Sequence, residues 1–403
     1  MDLLSNTVQP YAWGSPTAIP RLLGIEDPDG TPQAELWMGA HPSGPSRLAR
    51  DGRQVGLDRV VAAAPQAELG EATARRFGGR LPFLLKVLAA RKALSIQLHP
   101  DRAQAEAGFA AERARGVPRG ARERVYVDDW PKPEVLCALT PFEVLAGLRP
   151  APQAADVLSR LGVGALEAAC GELREQPKPA TVARVLAALL AWPETRRAGL
   201  VGDVVSAAAA AARQPSAFQA AYGAVGRMAQ DHPGDIGLVC SLLMNHAVVQ
   251  PGQALFMGAG GLHAYIRGTG IELMANSDNV IRAGLTPKHI DIPELMRVLD
   301  PEVRVPILTA RQLAAGVEVF DTPVPEFRLH RLTVASGEAS ASPLAVPGTG
   351  LPRILLCVDG AATAMSGGRK LELGRGRSCF VPAADPPVTL TGDALVFLAS
   401  PGE

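Results

Sequence analysis

LSIQLHPD, the stretch from Leu94 to Asp101, alternates residue by residue between apolar and polar side chains. Leu94, Ile96 and Leu98 take one side of the pattern; Ser95, Gln97 and His99 take the other. Successive side chains of a β-strand point to opposite faces, so a strand here gathers the three polar residues on one face. Pro100 ends the pattern, because proline has no N–H to give to a ladder. The reading is a strand with a glutamine and a histidine facing one cavity, inside an otherwise apolar setting.

Outward from this strand the chain shows three textures. Residues 1–150 are mixed, with apolar runs such as LPFLLKVLAA and two helical patterns, Val55–Leu69 and Ala103–Arg115. Residues 151–249 are rich in Ala and Leu, with apolar positions recurring every three or four residues, the mark of amphipathic helices. Pro and Gly divide this stretch into several helices. From Gln250 short strand patterns return, in QALFMG, GIELMA, EFRLHRLTV, RILLCVDG, ATAMSG, SCFVPA and ALVFLAS. Short strands between Gly, Pro and Asp turns predict a sandwich or barrel. The expected organisation is mainly β with an α insert: a first β unit in two pieces, 1–150 and 250–304, split by a helical domain at 151–249. A smaller β domain follows over 305–403.

The bulk properties narrow the class of function. A chain of 403 residues predicts two or three domains. Forty basic residues balance forty acidic ones, so the basic excess of a nucleic-acid or membrane-surface binder is missing. Five scattered cysteines without a CxxC pair predict reduced, buried thiols; Cys137 and Cys240 lie in apolar runs and read as packing residues. The N-terminus lacks a signal-peptide pattern, and the most apolar helical run, Val204–Ala212, is too short to span a bilayer. The expectation is a cytoplasmic protein with no obligate protein partner.

The candidate chemistry lies in three places. His99 shares its strand face with Gln97. In YVDDWPKPEVL, Lys132 and Glu134 flank Pro133, pairing a base with an acid that could hold a metal or move a proton. The segment Pro251–Lys288 places His263 and Tyr265 two apart and adds Glu272, Asn276, Asp278, Asn279, Arg282 and Lys288. So many polar groups between apolar strands imply a lined cavity. Two histidines, a glutamate and a glutamine from three strands suit zinc, which would keep a net charge of about +1 by formal counting. That charge favours a negative oxygen developing on a substrate. His41, in GAHPSGPS, reads as a loop support, and the helical insert as one wall of the pocket.

AELWMGAHPSGPS, LPFLLKVLAARKALSIQLHPD, KPEVLCALTPFEVLAGLRP and HAY…ELMANSDNVIRAGLTPKHID resemble the signatures of the type I mannose-6-phosphate isomerases, also called phosphomannose isomerases. The matching blocks run from Tyr11 to Asp291 around the helical insert. The resemblance implies a cupin-type β fold for the catalytic domain, an inserted helical domain and a cupin-like C-terminal β domain. It implies one zinc ion per chain, held by Gln97, His99, Glu134 and His263, and interconversion of mannose 6-phosphate with fructose 6-phosphate. The active-site arginine of the family falls on Arg282; Lys86, Ser95, Lys132, Tyr265, Glu272, Asp278 and Lys288 match other pocket positions.

Such an isomerase moves a proton between C1 and C2 through a cis-enediol, whose oxygen charge needs a nearby cation such as Arg282 or the metal. Lys86, Lys132 and Glu272 are candidates for the base, a lysine being competent if its pKa is lowered. Ser95, Lys86 and Lys288 are candidate phosphate donors. The chain departs from the family where Trp130 and Pro131 replace the usual Asn-His before Lys132, which removes a pocket histidine and could narrow the cavity. Two rival readings are an isomerase or epimerase of another sugar phosphate, and a non-catalytic, metal-stabilised sugar-binding cupin.

Overall fold

In the computed structural model, which describes residues 1–26, 28–50, 52–335 and 342–402, LSIQLHPD becomes the strand Ile96–Leu98 and the turn that follows it. The strand stops because Asp101 begins a helix. Its carboxylate accepts the Gln104 N–H at 2.7 Å, and the Gln104 amide oxygen accepts the Asp101 N–H at 2.9 Å. This capping box satisfies two otherwise unpaired donors and starts the helix Arg102–Ala114.

Around it an antiparallel sheet runs in the order Ile307–Thr309, Gln253–Met257, Glu134–Ala138, His263–Ala275, Phe83–Ala90, Glu35–Gly39 and Thr7–Gln9. The strand His263–Ala275 serves two sets of neighbours. Its later residues pair with Phe83–Ala90 and Glu134–Ala138; its first residues pair with Phe142–Leu148 and with Gln97. The changeover falls at Gly268, where φ is +146° and a Cβ would lie 2.6 Å from the Phe142 ring, so only glycine lets the two strands close there. Phe83–Ala90 is buried on both faces. Phe83, Leu85, Val87 and Ala89 join the core shared with the C-terminal sheet, while Leu84, Lys86, Leu88 and Ala90 point the other way.

The C-terminal sheet is also antiparallel, built on the long strands Arg353–Ser366 and Thr389–Ser400 with Arg328–Val334 and Val317–Phe320 beside them. Phe327, Leu329, Ile354, Leu356, Phe380 and Phe397 from this sheet meet Leu36, Leu85, Val87, Val135, Ile271 and Leu273 from the first, forming one apolar layer between the two units. The helices Ala151–Ser159, Glu167–Glu175, Pro179–Leu190, Glu194–Ala211 and Gln219–Asp231 are inserted between Phe142–Leu148 and the strand Met244–Val249. Their core includes Ile96, Leu98, Leu262, Ala264, Ile281 and Ala283. The insert thus buttresses, from behind, the short strands whose opposite faces carry Gln97, His263 and Arg282. The fold is mainly β with a helical insert, as the sequence implied.

Four local expectations change. Residues 244–249, assigned to the helical insert, form a strand paired with Phe142–Leu148; MNHAVV ends in two valines that suit a strand. Val55–Leu69 is not one helix: Arg53–Gly56 is strand, and Ala64 separates Leu57–Ala63 from Pro65–Leu69, because Pro65 has no N–H to continue the ladder. The boundary near residue 305 is crossed twice by strand exchange: Ile307–Thr309 pairs with Gln253–Leu255 of the first sheet, and Asp2–Leu3 pairs with Cys379–Phe380 of the second. RILLCVDG and ATAMSG are one strand, Arg353–Ser366, with a bulge after Cys357. Gly360, at φ +69°, lets it bend instead of turn back.

Candidate metal centre and substrate cleft

His99, just past the strand Ile96–Leu98, meets Glu134 and His263, each the first residue of its strand, inside the first β unit, all buried. His99 Nδ1 lies 2.8 Å from the Asn279 carbonyl oxygen, and His263 Nδ1 lies 3.0 Å from that of Gly261. A carbonyl only accepts, so each Nδ1 carries the proton and each Nε2 presents a lone pair. The two Nε2 atoms lie 3.4 and 3.5 Å from Glu134 Oε2, and none of these three buried atoms has a hydrogen-bond partner. Three unpaired acceptors buried together cost several kcal/mol unless something binds them, and a hydrogen bond among them has no proton to use. Tetrahedral ligands about 2.0 Å from zinc are about 3.3 Å apart, so the spacing fits that ion.

The electrostatics fit as well. Burial pushes His99 down to about 4, against the pull of Glu134, which leaves it a neutral ligand at neutral pH. Burial pushes the Glu134 carboxyl up, but the Lys132 ammonium outweighs it and holds it well below the usual carboxylate range. Lys132 Nζ is 2.9 Å from Glu134 Oε1, so KPE is a buried ion pair and not a solvated turn. Gln97 is the cross-strand neighbour of both His263 and Arg282, which puts the three side chains in one row on one face.

Beside the metal group lies a second buried cluster. Lys86 Nζ is 3.2 Å from Glu272 Oε2 and 3.5 Å from Glu35 Oε1. Burial pulls the Lys86 ammonium down, yet Glu35 and Glu272 overcome it and hold the pKa above its ordinary value. The idea of a lysine base with a lowered pKa therefore fails for Lys86: two carboxylates keep it charged. Burial raises the Glu272 carboxyl, and the opposing pull of Lys86 does not cancel that rise. Tyr265, expected to contact substrate, donates its hydroxyl to Glu272 Oε1 at 2.8 Å and stacks edge-on against Phe142. Its structural part is to fix Glu272.

Arg282 and Lys288 form a cationic pair. Burial lowers the pKa of Arg282; burial and the Arg282 charge lower that of Lys288; neither has an ion-pair partner among the described residues. Ser95 Oγ lies 3.4 Å from Gln97 Oε1, on the same face. Asp278 is held by His41, whose Nε2 is 3.3 Å from Asp278 Oδ2. The His41 Nδ1 accepts the Ser43 N–H at 3.2 Å, so Nε2 carries the proton and donates it to the carboxylate. His41 is thus more than a loop support. The Trp130 indole packs against Phe77, with the Arg80 and Arg102 guanidinium groups 4.2 and 5.5 Å from its ring.

Sequence reasoning missed Glu35, which pairs with Lys86, and Asp128, which with Asn279 ties the segment 277–279 in place. The only available signal was that Glu35 and Asp128 fall inside blocks already singled out. Cavity size would not have found the site either. A cleft of about 870 Å³ lined by Arg91, Glu143, Arg227, His246 and Arg267 shares no residue with the metal group.

Comparison with known proteins agrees with this geometry. Residues 1–151 match the catalytic domain of type I phosphomannose isomerase, and residues 352–400 match the cupin domain of mannose-6-phosphate isomerase. The chain is 38% identical to mannose-6-phosphate isomerase of Escherichia coli (strain K12) over 395 residues, 97% of each chain. It is 31% identical to the Homo sapiens enzyme of the same name, over 98% of this chain and 97% of that one. A crystal structure of a point variant of phosphomannose isomerase from Salmonella typhimurium superposes with a TM-score of 0.91 at 35% identity, covering 100% of both chains. A mannose 6-phosphate isomerase bound with zinc and yttrium superposes at 0.90 over the whole of both chains, again at 35% identity.

Proposed function

The chain belongs to the type I phosphomannose isomerase family, and on that footing we infer that it is a zinc-dependent isomerase interconverting mannose 6-phosphate and fructose 6-phosphate. The observation that carries this reading is the convergence of three buried, unpaired acceptors, His99 Nε2, His263 Nε2 and Glu134 Oε2. These three residues hold the zinc ion, with Gln97 as a neutral fourth ligand. Bound there, zinc supplies a positive centre that polarises substrate oxygen.

The remaining steps fall to the chain's own residues. Arg282 and Lys288, two cations without carboxylate partners among the described residues, bind the phosphate, with Ser95 as a further donor. Glu272 is the group we assign to proton transfer between C1 and C2. Among the buried carboxylates of the cleft its pKa moves upward, toward the working pH, and a base works best when its pKa is close to that pH. Lys86, held charged against Glu272, and Tyr265 orient its two oxygens and favour the negative charge that grows on the enediol oxygens. Lys132 stays paired with Glu134 and places positive charge beside the same oxygens. Asp278 accepts a sugar hydroxyl. No helix is long and apolar enough to cross a membrane among the described residues, and all five cysteines are free and buried; we place the enzyme in the cytoplasm.

The test is chelation followed by re-addition of zinc, with mannose 6-phosphate conversion as the readout. Activity falls to background on chelation and returns with zinc; His99→Ala loses both zinc and activity, whereas Arg282→Ala keeps its zinc and loses activity. Full activity in His99→Ala sinks the metal site. Binding of mannose 6-phosphate with no fructose 6-phosphate formed would make the protein a sugar-binding cupin instead. A panel of aldose phosphates separates this activity from that of an isomerase for another sugar phosphate.

A further inference from the structure

The segment Ser277–Asn279 contacts His99 through the Asn279 carbonyl and His41 through the Asp278 carboxylate, and one side chain, Asp128, holds it from the loop before Lys132. Asp128 Oδ1 accepts from Ser277 Oγ at 2.8 Å, from the Trp130 N–H at 2.9 Å and from Asn279 Nδ2 at 3.3 Å. Its Oδ2 accepts the Asp278 N–H at 2.8 Å. Asn279, fully buried, completes the clasp. Its Oδ1 accepts the Val127 N–H at 2.7 Å, and its Nδ2 donates to the Trp130 carbonyl at 2.9 Å.

Two parts of the site hang from this clasp. The Asn279 carbonyl is the acceptor for His99 Nδ1, at 2.8 Å, and so decides which ring nitrogen of His99 is bare toward the metal position. Asp278 is fixed at both ends, its N–H on Asp128 and its Oδ2 on His41. If the clasp loosens, the Asn279 carbonyl turns. The imidazole then loses the acceptor that defines its tautomer, and a ring with the proton on Nε2 cannot bind a metal there. The Asp278 carboxylate shifts with the same segment.

We propose that Asp128 is a positioning residue that sets zinc affinity through Asn279 and His99 and substrate affinity through Asp278. It touches neither zinc ligands nor substrate. Every group hydrogen-bonded to its carboxylate is a donor, so the side chain must accept with both oxygens. An amide of the same shape would turn an N–H toward at least one of those donors and open the clasp.

The proposal rests on the zinc-isomerase reading, and the experiment separates the two. Zinc affinity is measured by chelator competition, without substrate, for wild type, Asp128→Asn, His99→Ala and the double variant. Thermal unfolding of the metal-free forms runs alongside. We expect Asp128→Asn to bind zinc about 10- to 100-fold more weakly than wild type. In the His99→Ala background the same substitution has little further effect, because its route to the metal has gone. At saturating zinc, Asp128→Asn raises KM for mannose 6-phosphate more than it lowers kcat. Wild-type zinc affinity in Asp128→Asn, or an equal loss in both backgrounds, overturns the proposal. If Asp128→Asn does not fold, Ser277→Ala decides: it must weaken zinc in the wild-type background and not in His99→Ala, and an unchanged affinity overturns the proposal. Wild-type affinity in His99→Ala would fail the zinc reading and the proposal with it. Loss at His99 without loss at Asp128 would fail the proposal alone.

Discussion

In the catalytic sheet the positions that face away from the shared apolar layer include Lys86, Glu134 and Glu272; in the C-terminal sheet they include Leu355, Cys357, Val396 and Leu398. Both sheets are antiparallel, and both press their other faces into one common core. The C-terminal sheet also buries polar atoms without partners, His330 Nδ1 and two nitrogens of Arg353. They do not come together with other ligand atoms: the only cluster of three or more potential metal ligands among the described residues is His99, Glu134 and His263. A buried, unpaired polar atom is therefore not enough to mark a site. What marks one is convergence, with tautomers set so that several lone pairs aim at one point.

The strongest way to break this contrast is to remove a polar group from the catalytic interior. Glu272→Gln should lower kcat by about 10²- to 10⁴-fold, the usual worth of a positioned acid–base group, while zinc content stays at wild-type level. In the wild type, activity should rise with pH as Glu272 ionises, with the acid limb displaced above the ordinary glutamate value of 4.5, since burial raises its pKa. Near-normal kcat in Glu272→Gln would move the proton transfer to Lys132.

Removing an apolar group from the C-terminal interior should do the opposite. Leu355→Ala, at a fully buried position, should cost about 2 to 5 kcal/mol in urea unfolding and leave the kcat of the folded enzyme unchanged. A large fall in kcat at unchanged stability would show that this sheet shapes the cleft.

A smaller effect sharpens the contrast between lone and convergent histidines. Burial pushes His330 down to about 4, from 6.5 in an unfolded chain. Between those values the unfolded state binds more protons than the folded one, so stability rises with pH through this window and is lost as pH falls from 6.5 toward 4. The full interval is worth about 3 kcal/mol, as an order of magnitude. His330→Phe should flatten the stability profile over that range without changing activity at neutral pH, read by thermal unfolding of the zinc-loaded protein. An unchanged slope would show that His330 is already protonated in the fold.

How much of this was legible in the chain varies by residue. Gln97 and His99 declared themselves because a strand has a period of two, which any local alternation reveals. The helical insert declared itself through its Ala/Leu periodicity, and Lys132, Glu134, His263 and Arg282 through motifs. Asp128 and Glu35 gave no such sign. A buried carboxylate is recognised by what surrounds it, and the groups that hold these two include ones from other strands and loops, Ser277 and Asn279 for Asp128 and Lys86 for Glu35. The end of the helical insert was misread because MNHAVV carries no strong breaker, and pairing with Phe142–Leu148 decides its state.

By itself the sequence determined the class of fold, the identity of the groups able to bind a metal, and the family. Those follow from local periodicity and from motifs in which neighbouring residues act together. The tertiary structure decided which lone pairs meet, which lysine stays charged, and which backbone carbonyl sets the tautomer of His99. Those depend on distances between strands far apart in the chain, and on burial, which turns a charge or a lone pair into a cost that only the right neighbour offsets.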